Sequence, residues 1–516
     1  MATVVAWVGA QALSLYVVTG HSFRRSPEGI ADRTRDLLAA TGHRREPIDR
    51  AWGYDSDGEL LQRLRGNPPP GLIAAAKAGR APGMRFWYRE SPELLVPSAG
   101  RVGPDDPATR LPASALVQTT TEGRLLSLRV VPHPREAGPT PELDWRPLLL
   151  AAELDPIRLV PTKSIWTPPD FADTRTAWVG SPPEAPAVRL RAEGAAFEGV
   201  PVYFRVAPED EGEKELRGGA ARSDVFQLFL ALLFGSLLAV ALRLARRNLT
   251  SGRGDRVGAK RVAVALFVVV LANWISSASH LAALSEIALL FHGVAWSILA
   301  SAIAWVLYVA LEPMLRRQSP AKLVAWTRLL AGGFRDALVG RDLLLGSAAG
   351  ALLAIVLRLG ALVNVSSDPM GIGSLYGPRG VFSAAALAAA ISSFQAMGFA
   401  VLLQLLTRGL GSPARGAGAL WALFALGLSV RDGLSPLVPL DLLMAACAVF
   451  VISRLGLLAS FTMLWVSHLA MFYPITLDPS AWFFGDSTAA LVLGMIPAAY
   501  GAWVVVGRRP AGAFVG

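Results

Sequence analysis

Arg261-Val-Ala-Val-Ala-Leu-Phe-Val-Val-Val-Leu-Ala-Asn-Trp-Ile-Ser-Ser-Ala-Ser279 carries no charge after its first residue. At a rise of ~1.5 Å per residue, Val262 to Ser279 is long enough as a helix to cross most of a bilayer's apolar core, ~30 Å thick. Segments of the same kind recur on either side: Val225 to Leu242, Ile287 to Leu311, Leu343 to Val363, Val381 to Leu406, Gly416 to Val430, Leu437 to Ser453, Leu455 to Phe472 and Ala489 to Val506. The pair flanking Arg454 reads as a tight hairpin, with one long kinked helix as the rival. A further apolar run, Ala2 to Val18, has no charge before it and so lacks the basic n-region of a secretory signal; it reads as an anchor. The expected fold is a polytopic α-helical membrane protein of about ten transmembrane helices. An α+β extracytoplasmic domain is inserted between the first and second of them.

Composition agrees. Of 516 residues, 53% are hydrophobic and only 17% charged, with a mean hydropathy of +0.43, too apolar for a water-soluble protein of this length. The net charge of +10 raises the question of nucleic acid, which its placement answers. Eighteen lysines and arginines between Arg243 and Arg509 fall in loops on one side of the expected spans, against four acids, whereas Arg379 and Arg431 alone fall in short loops on the other. Such asymmetry orients helices during insertion with the basic loops cytoplasmic, which puts both termini inside. The basicity is a topology signal, and no nucleic-acid partner is expected. The single cysteine, Cys447, lies within an apolar segment, so no disulfide framework is available to the exported part.

The chain divides into an anchor (1–19), an extracytoplasmic domain (20–222) and a multi-span domain (223–516) with a cytoplasmic linker at 312–342. In the soluble part, Ser26-Pro27-Glu28 is a helix start, after which Ile30, Thr34, Leu37 and Leu38 share a face. A second short helix, Glu59 to Arg65, stops before three prolines. Ala115 to Thr121 and Arg124 to Val131 form an expected hairpin about Glu122-Gly123, Val188 to Ala192 and Val200 to Val206 a second, and Phe86-Trp87-Tyr88 a further strand. A small antiparallel sheet with helices is expected.

Ionisable groups inside spans are costly and mark candidate sites. Arg358 lies well inside its segment, either pairing with an acid on a neighbouring helix or snorkelling outward. Glu286 and His292 are six apart, on different helix faces, and His468 is isolated in sequence. Asp441 marks the outer mouth of its segment. No histidine shows the spacing of a helical zinc site, and no metal or cofactor is expected. Gly346-Ser-Ala-Ala-Gly350 is a GxxxG string that lets a neighbouring helix approach closely.

The linker joins Glu312, Arg316 and Arg317 to Trp326 and Arg328, then to Arg335, Asp336, Arg341 and Asp342. Its arginines suit lipid head groups, and Trp326, Leu329, Leu330 and Phe334 suit the acyl boundary; a docking surface for a cytoplasmic partner is the sharper reading. Written A-L-E-P-x-x-R-R and then W-x-R-L-L-A-G-x-F-R-D-x-L-V-G-R-D, this stretch resembles the membrane region of large bacterial transmembrane serine/threonine protein kinases of the Hanks type. Ala31-Asp32-Arg33, Phe86 to Pro92, Asp105-Asp106-Pro107, Trp166 to Pro169 and Pro201 to Phe204 resemble their extracytoplasmic segment, and Pro474 to Trp482 their closing loop.

The resemblance implies a sensory or regulatory membrane half of a kinase-type signalling protein, with a ligand outside and a kinase domain or other signalling partner inside. These residues contain no Gly-rich nucleotide loop, strand lysine, HRD loop or DFG, and Asp170-Phe171-Ala172 is a chance near-match. Phosphoryl transfer by that mechanism needs all of them together, so no enzyme activity is expected of this part. The alternatives are a transporter or intramembrane enzyme built on the C-terminal bundle, which would need converging polar residues at mid-bilayer, or a membrane scaffold.

Overall fold

The computed structural model describes residues 23–65, 70–98, 100–133, 142–182, 185–209, 222–363, 372–432 and 438–507. The expected anchor, Ala2 to Val18, lies outside them, as do Arg508 and Arg509.

The first half begins with helix α1 (Pro27–Ala40), at its expected place. Ser26 accepts the Gly29 amide at 3.2 Å, Pro27 begins the helix, and Ile30, Ala31, Thr34 and Leu38 are buried. Short helices α2 (Gly58–Arg65), α3 (Pro70–Lys77) and α4 (Arg146–Ala151) accompany it. The strands are β1 (Asp49–Ser56), β2 (Met84–Ser91), β3 (Ala115–Thr119), β4 (Leu125–Val130), β5 (Val160–Thr162), β6 (Thr174–Gly180), β7 (Leu190–Phe197) and β8 (Val200–Pro208). They make one antiparallel sheet in the order β1-β2-β3-β4-β8-β7-β6-β5. Both expected hairpins are present. In the second, Phe197 pairs with Val200 and the two loop residues Glu198 and Gly199 have φ of 50° and 78°. That doubly positive turn matches the twist of the strands it joins. The sheet is wider than expected, because β1, β5 and β6 give little alternation to read.

The second half is helical: α5 (Arg222–Thr250), α6 (Arg256–Ser277), α7 (Ser285–Gln318), α8 (Ala321–Leu330), α9 (Ala337–Val363), α10 (Gly377–Leu410), α11 (Pro413–Asp432), α12 (Val438–Arg454), α13 (Leu457–Phe472) and α14 (Phe484–Val506). Among the described residues five helices are long and apolar enough to cross a membrane: α6, α7, the part of α9 from Ala337 to Leu357, α10 and α14; α13 is apolar but shorter. Large apolar side chains stand exposed on their outer faces, among them Val264, Val268, Phe291, Trp296, Phe382 and Trp503. Exposed apolar side chains in this number suit contact with lipid rather than water.

The chain reverses at Arg454. Met444 packs with Leu353 and Val356, then Val449 and Ile452 with Leu403 and Leu420, so α12 descends; Leu457 and Leu458 join the cluster of Leu323 and Trp326, and Leu469 and Ala470 that of Ala384 and Ala388, so α13 climbs back. Gly456 makes the corner at φ 122°, where a Cβ would lie 2.6 Å from the Lys322 carbonyl oxygen. This is the expected hairpin and not a kinked helix.

The loops at 278–284, 372–376 and 473–483 meet the sheet domain. Arg253, Arg316, Arg317, Arg328, Arg335, Arg341, Arg408 and Arg454 lie towards the opposite end of the bundle.

Candidate functional site

At the arginine end, the expected linker is mostly helix. Helix α7 continues through Gln318, well past Leu311, because its 34 residues span ~50 Å and overrun an apolar core of ~30 Å. Glu312 is consequently buried on this last stretch and ion-paired to Arg316 at 2.5 Å. Tyr308, one turn earlier, donates to Asp255 at 3.4 Å, and Asn248 donates to the Val309 carbonyl at 3.0 Å. Asp342 is buried and paired with Arg341 at 2.8 Å; Asp336 pairs with Arg328 at 2.6 Å.

Trp326 departs from expectation. It is buried, with its ring 6.1 Å from that of Phe461, and therefore does not reach the acyl boundary; of the four apolar residues assigned there, Phe334 alone is exposed. Helix α8 folds its apolar face onto α13 rather than onto lipid. What remains at the surface is guanidinium: Arg316, Arg317, Arg328, Arg335 and Arg341 are exposed, and Arg335 lies over the Trp503 ring at 5.5 Å. Of the candidate interface residues, Glu312, Trp326 and Asp342 hold the end of the bundle together and offer no contact surface.

The described intramembrane candidates, Glu286, His292 and His468, do not converge. Glu286 sits in the first turn of α7, towards the sheet end, and bonds His280 rather than His292; His292 is partly exposed with its ring 6.1 Å from Trp296. The side chains of Arg358 and Asp441 lie outside the described residues. His468 is buried, and its Nδ1 is 2.9 Å from Ser392 Oγ. Ser392 Oγ also lies 2.6 Å from the Ala388 carbonyl oxygen, one helical turn back. Gly346 and Gly350 face α13: a Cβ on either would stand 2.6 Å from a carbonyl oxygen, of Ala459 and Met463 respectively. The GxxxG string is used for packing within the bundle.

At the other end lies a junction that sequence reasoning missed. Tyr376, just before α10, reaches the free edge of β1, where its hydroxyl accepts the Tyr54 amide at 3.0 Å and donates to the Tyr54 carbonyl at 3.2 Å. An exposed strand edge is thereby satisfied by one side chain. The Tyr376 ring stacks on Trp52 at 6.1 Å and 5°, with the Arg101 guanidinium 3.4 Å from its centroid on the axis of a cation–π contact. Burial pushes the hydroxyls of both Tyr54 and Tyr376 above their ordinary pKa, so both stay protonated. Gly53 is required, because a Cβ there would overlap the Tyr376 hydroxyl. Nearby, Trp482 Nε1 donates to the Phe23 carbonyl at 2.9 Å, and Phe483 packs edge-on against Phe23 at 5.8 Å. Leu375 and Phe483 are buried in the same cluster as Ile30, Phe86 and Leu128. Two loops of the helical half thus complete the core of the sheet domain. The readable signal was Trp482-Phe483 and Tyr376, large aromatics in loops short of lipid.

A third contact completes the junction: Ser279 donates its amide to the Gly100 carbonyl at 2.8 Å and accepts the Val102 amide at 3.1 Å. The next residue, His280, has Nδ1 2.6 Å from Glu286 and Nε2 2.8 Å from the Ile275 carbonyl. Both partners are acceptors, and only the imidazolium can donate to both. The Glu286 carboxylate, then the Ile275 carbonyl, raise the His280 pKa, against partial desolvation and the charge of Arg379. A folded-state pKa above the unfolded value stabilises the fold fully below the unfolded pKa, and that stability is lost as pH rises through the folded pKa. The thermal midpoint is therefore expected to fall with rising pH across that window, and the His280→Gln variant to lose this part of the dependence. Superimposable pH profiles for the two proteins would rule the contribution out.

No family model, curated protein or solved structure matches this chain. The kinase-associated resemblance rests on its quoted motifs alone.

Proposed function

We propose that the chain is the membrane-embedded sensory or regulatory half of a bacterial serine/threonine kinase-type signalling system, spanning the cytoplasmic membrane about ten times with residues 20–222 outside. The catalytic motifs are absent from these residues, so phosphoryl transfer belongs to a kinase domain outside them, in the same or another polypeptide. One observation carries the reading: loops of the helical half, through Leu375, Tyr376 and Phe483, build part of the sheet domain's core. A ligand that binds two arrangements of that core with different affinity also shifts the bundle. The arginines at the far end are the surface left for a cytoplasmic partner.

Reporter fusions near residues 120, 255 and 325 are expected to place the first outside and the other two inside. Deleting the gene in its host is expected to change the abundance of serine and threonine phosphopeptides. An unchanged phosphopeptide profile, or residue 120 facing the cytosol, would overturn the proposal.

A further inference from the structure

One titratable side chain stands in the joint between the two halves of the chain. His280 follows Ser279, whose amide and hydroxyl hold Gly100 and Val102 of the sheet domain, and it precedes α7, whose first turn supplies Glu286. Its ring stands edge-on to Trp274 of α6, at 5.5 Å and 87°. That indole lies against both halves: a Cβ on Gly293 of α7 would overlap it, and a Cβ on Gly100 would stand 3.2 Å from its Nε1. Two charged groups face His280, Glu286 from α7 and Arg379 from α10. Arg379 donates to the Ile275 and Ala278 carbonyls at 3.1 and 3.5 Å, and so shares the Ile275 oxygen with the imidazole. Arg101, the charged residue between Gly100 and Val102, is held over the Tyr376 ring.

Both bonds of His280 cannot survive loss of its proton, because a neutral imidazole has one N–H. With that hydrogen on Nδ1, the Nε2 lone pair points at the Ile275 carbonyl oxygen from 2.8 Å; with it on Nε2, the Nδ1 lone pair points at a Glu286 oxygen from 2.6 Å. Either arrangement sets lone pair against lone pair, so the ring has to leave one of its partners. Glu286 keeps the Leu281 amide at 2.9 Å, and the Ile275 oxygen keeps Arg379, so both acceptors remain satisfied without it. The turn from Ala278 to Leu281 then loses the side chain that ties it to α6 and α7 together. Ser279, with its two bonds to the sheet domain, lies inside that turn.

We propose that His280 is a proton-operated latch on the junction: charged, it fixes the turn that carries Ser279 and so holds residues 100–102 of the sheet domain against the bundle; neutral, it releases them. The Glu286 carboxylate, then the Ile275 carbonyl, raise the His280 pKa, so the latch is closed on the acid side and opens as pH rises through the folded value. The hydroxyls of Tyr54 and Tyr376, in the same junction, stay protonated and take no part. The proton binds the closed junction more tightly than the open one, which is the difference in affinity that a sensed ligand needs. That this proton is an extracytoplasmic signal rests on the function proposed above; that the latch titrates does not.

The test is hydrogen exchange of the full chain in detergent between about pH 5 and about pH 8, expressed as protection relative to the intrinsic rate at each pH. The amides of Val102 and Ser279 are the reporters, and that of Tyr54, bonded to Tyr376, is the reference. In the parent, protection of the two reporters is expected to fall severalfold as the pH rises while that of Tyr54 holds. His280→Gln has no charge to lose and is expected to show low protection of the reporters throughout, with no pH dependence. Glu286→Gln keeps an acceptor but removes the negative charge, so the fall is expected at lower pH. A Val102 profile that is the same in the parent and in His280→Gln, one unmoved in Glu286→Gln, or a fall at Tyr54 as large as at Val102 would overturn the proposal. A latch that titrates as described while residue 120 faces the cytosol would uphold the device and count against the extracytoplasmic sensing role alone.

Discussion

Gly346→Val and Gly350→Val are each expected to prevent helices α9 and α13 from docking. The β-carbon of either valine would fall 2.6 Å from a backbone carbonyl oxygen, and 2.7 or 2.8 Å from the Cβ of Thr462 or Val466. No rotamer change relieves a clash with backbone, so the helices must separate along the seam. Overpacking in a tight core costs about 1–3 kcal/mol where side chains can yield, and here they cannot, so about 3 kcal/mol or more is expected per site. The loss extends beyond the seam, because α9 also meets α14 closely: a Cβ on Gly501 would stand 2.6 Å from the Gly340 carbonyl. Ala348→Val, on the exposed face of the same helix, also introduces a branched side chain, there without a packed neighbour, and serves as the control. Thermal unfolding in detergent is expected to show both glycine variants strongly lowered and the control near the parent. Equal midpoints for Gly350→Val and Ala348→Val would mean that α9 and α13 do not touch as described.

What the sequence made legible follows the range of the interactions. Apolar length located every long helix of the second half, since burial against lipid is decided residue by residue. The Ser26 cap, the Glu122-Gly123 hairpin and the GxxxG seam were equally readable, because each is a local steric or hydrogen-bonding requirement. Strand β1 was missed: Asp49 to Ser56 contains Gly53 and three charged residues, and it is a strand only because β2 pairs with one side and Tyr376 with the other. Context of that kind overrides strand propensity. Trp326 was misplaced for a related reason. An amphipathic stretch shows that one face is covered but not by what, and α13 covers it where lipid was expected. The junction itself joins residues 322 and 459 positions apart, a separation that no periodicity encodes.

Replacing Tyr376 is the most direct perturbation of that junction. Tyr376→Phe keeps the ring between Trp52 and Arg101 but removes the hydroxyl, leaving the Tyr54 amide and carbonyl without the partner that covers them. An unpaired buried backbone group costs about 1–3 kcal/mol. Tyr376→Ala removes the ring as well, opening a cavity beside Trp52 and Leu375, and is expected to cost about 3 kcal/mol or more. The two variants separate two contributions, the hydroxyl that seals the β1 edge and the ring that fills the joint. If the sheet domain depends on the loops of the helical half for its core, Tyr376→Ala must loosen residues 49–56 and 84–91 although neither segment is altered. Hydrogen exchange of those strands is the measurement, with much faster exchange expected in Tyr376→Ala and an intermediate rate in Tyr376→Phe. The arginine end provides the internal reference, because Tyr308, Asp255 and Asn248 hold it without any contribution from the junction. Protection unchanged in β1 and β2 would show that the sheet domain is complete by itself, and the proposed coupling between it and the bundle would lose its support.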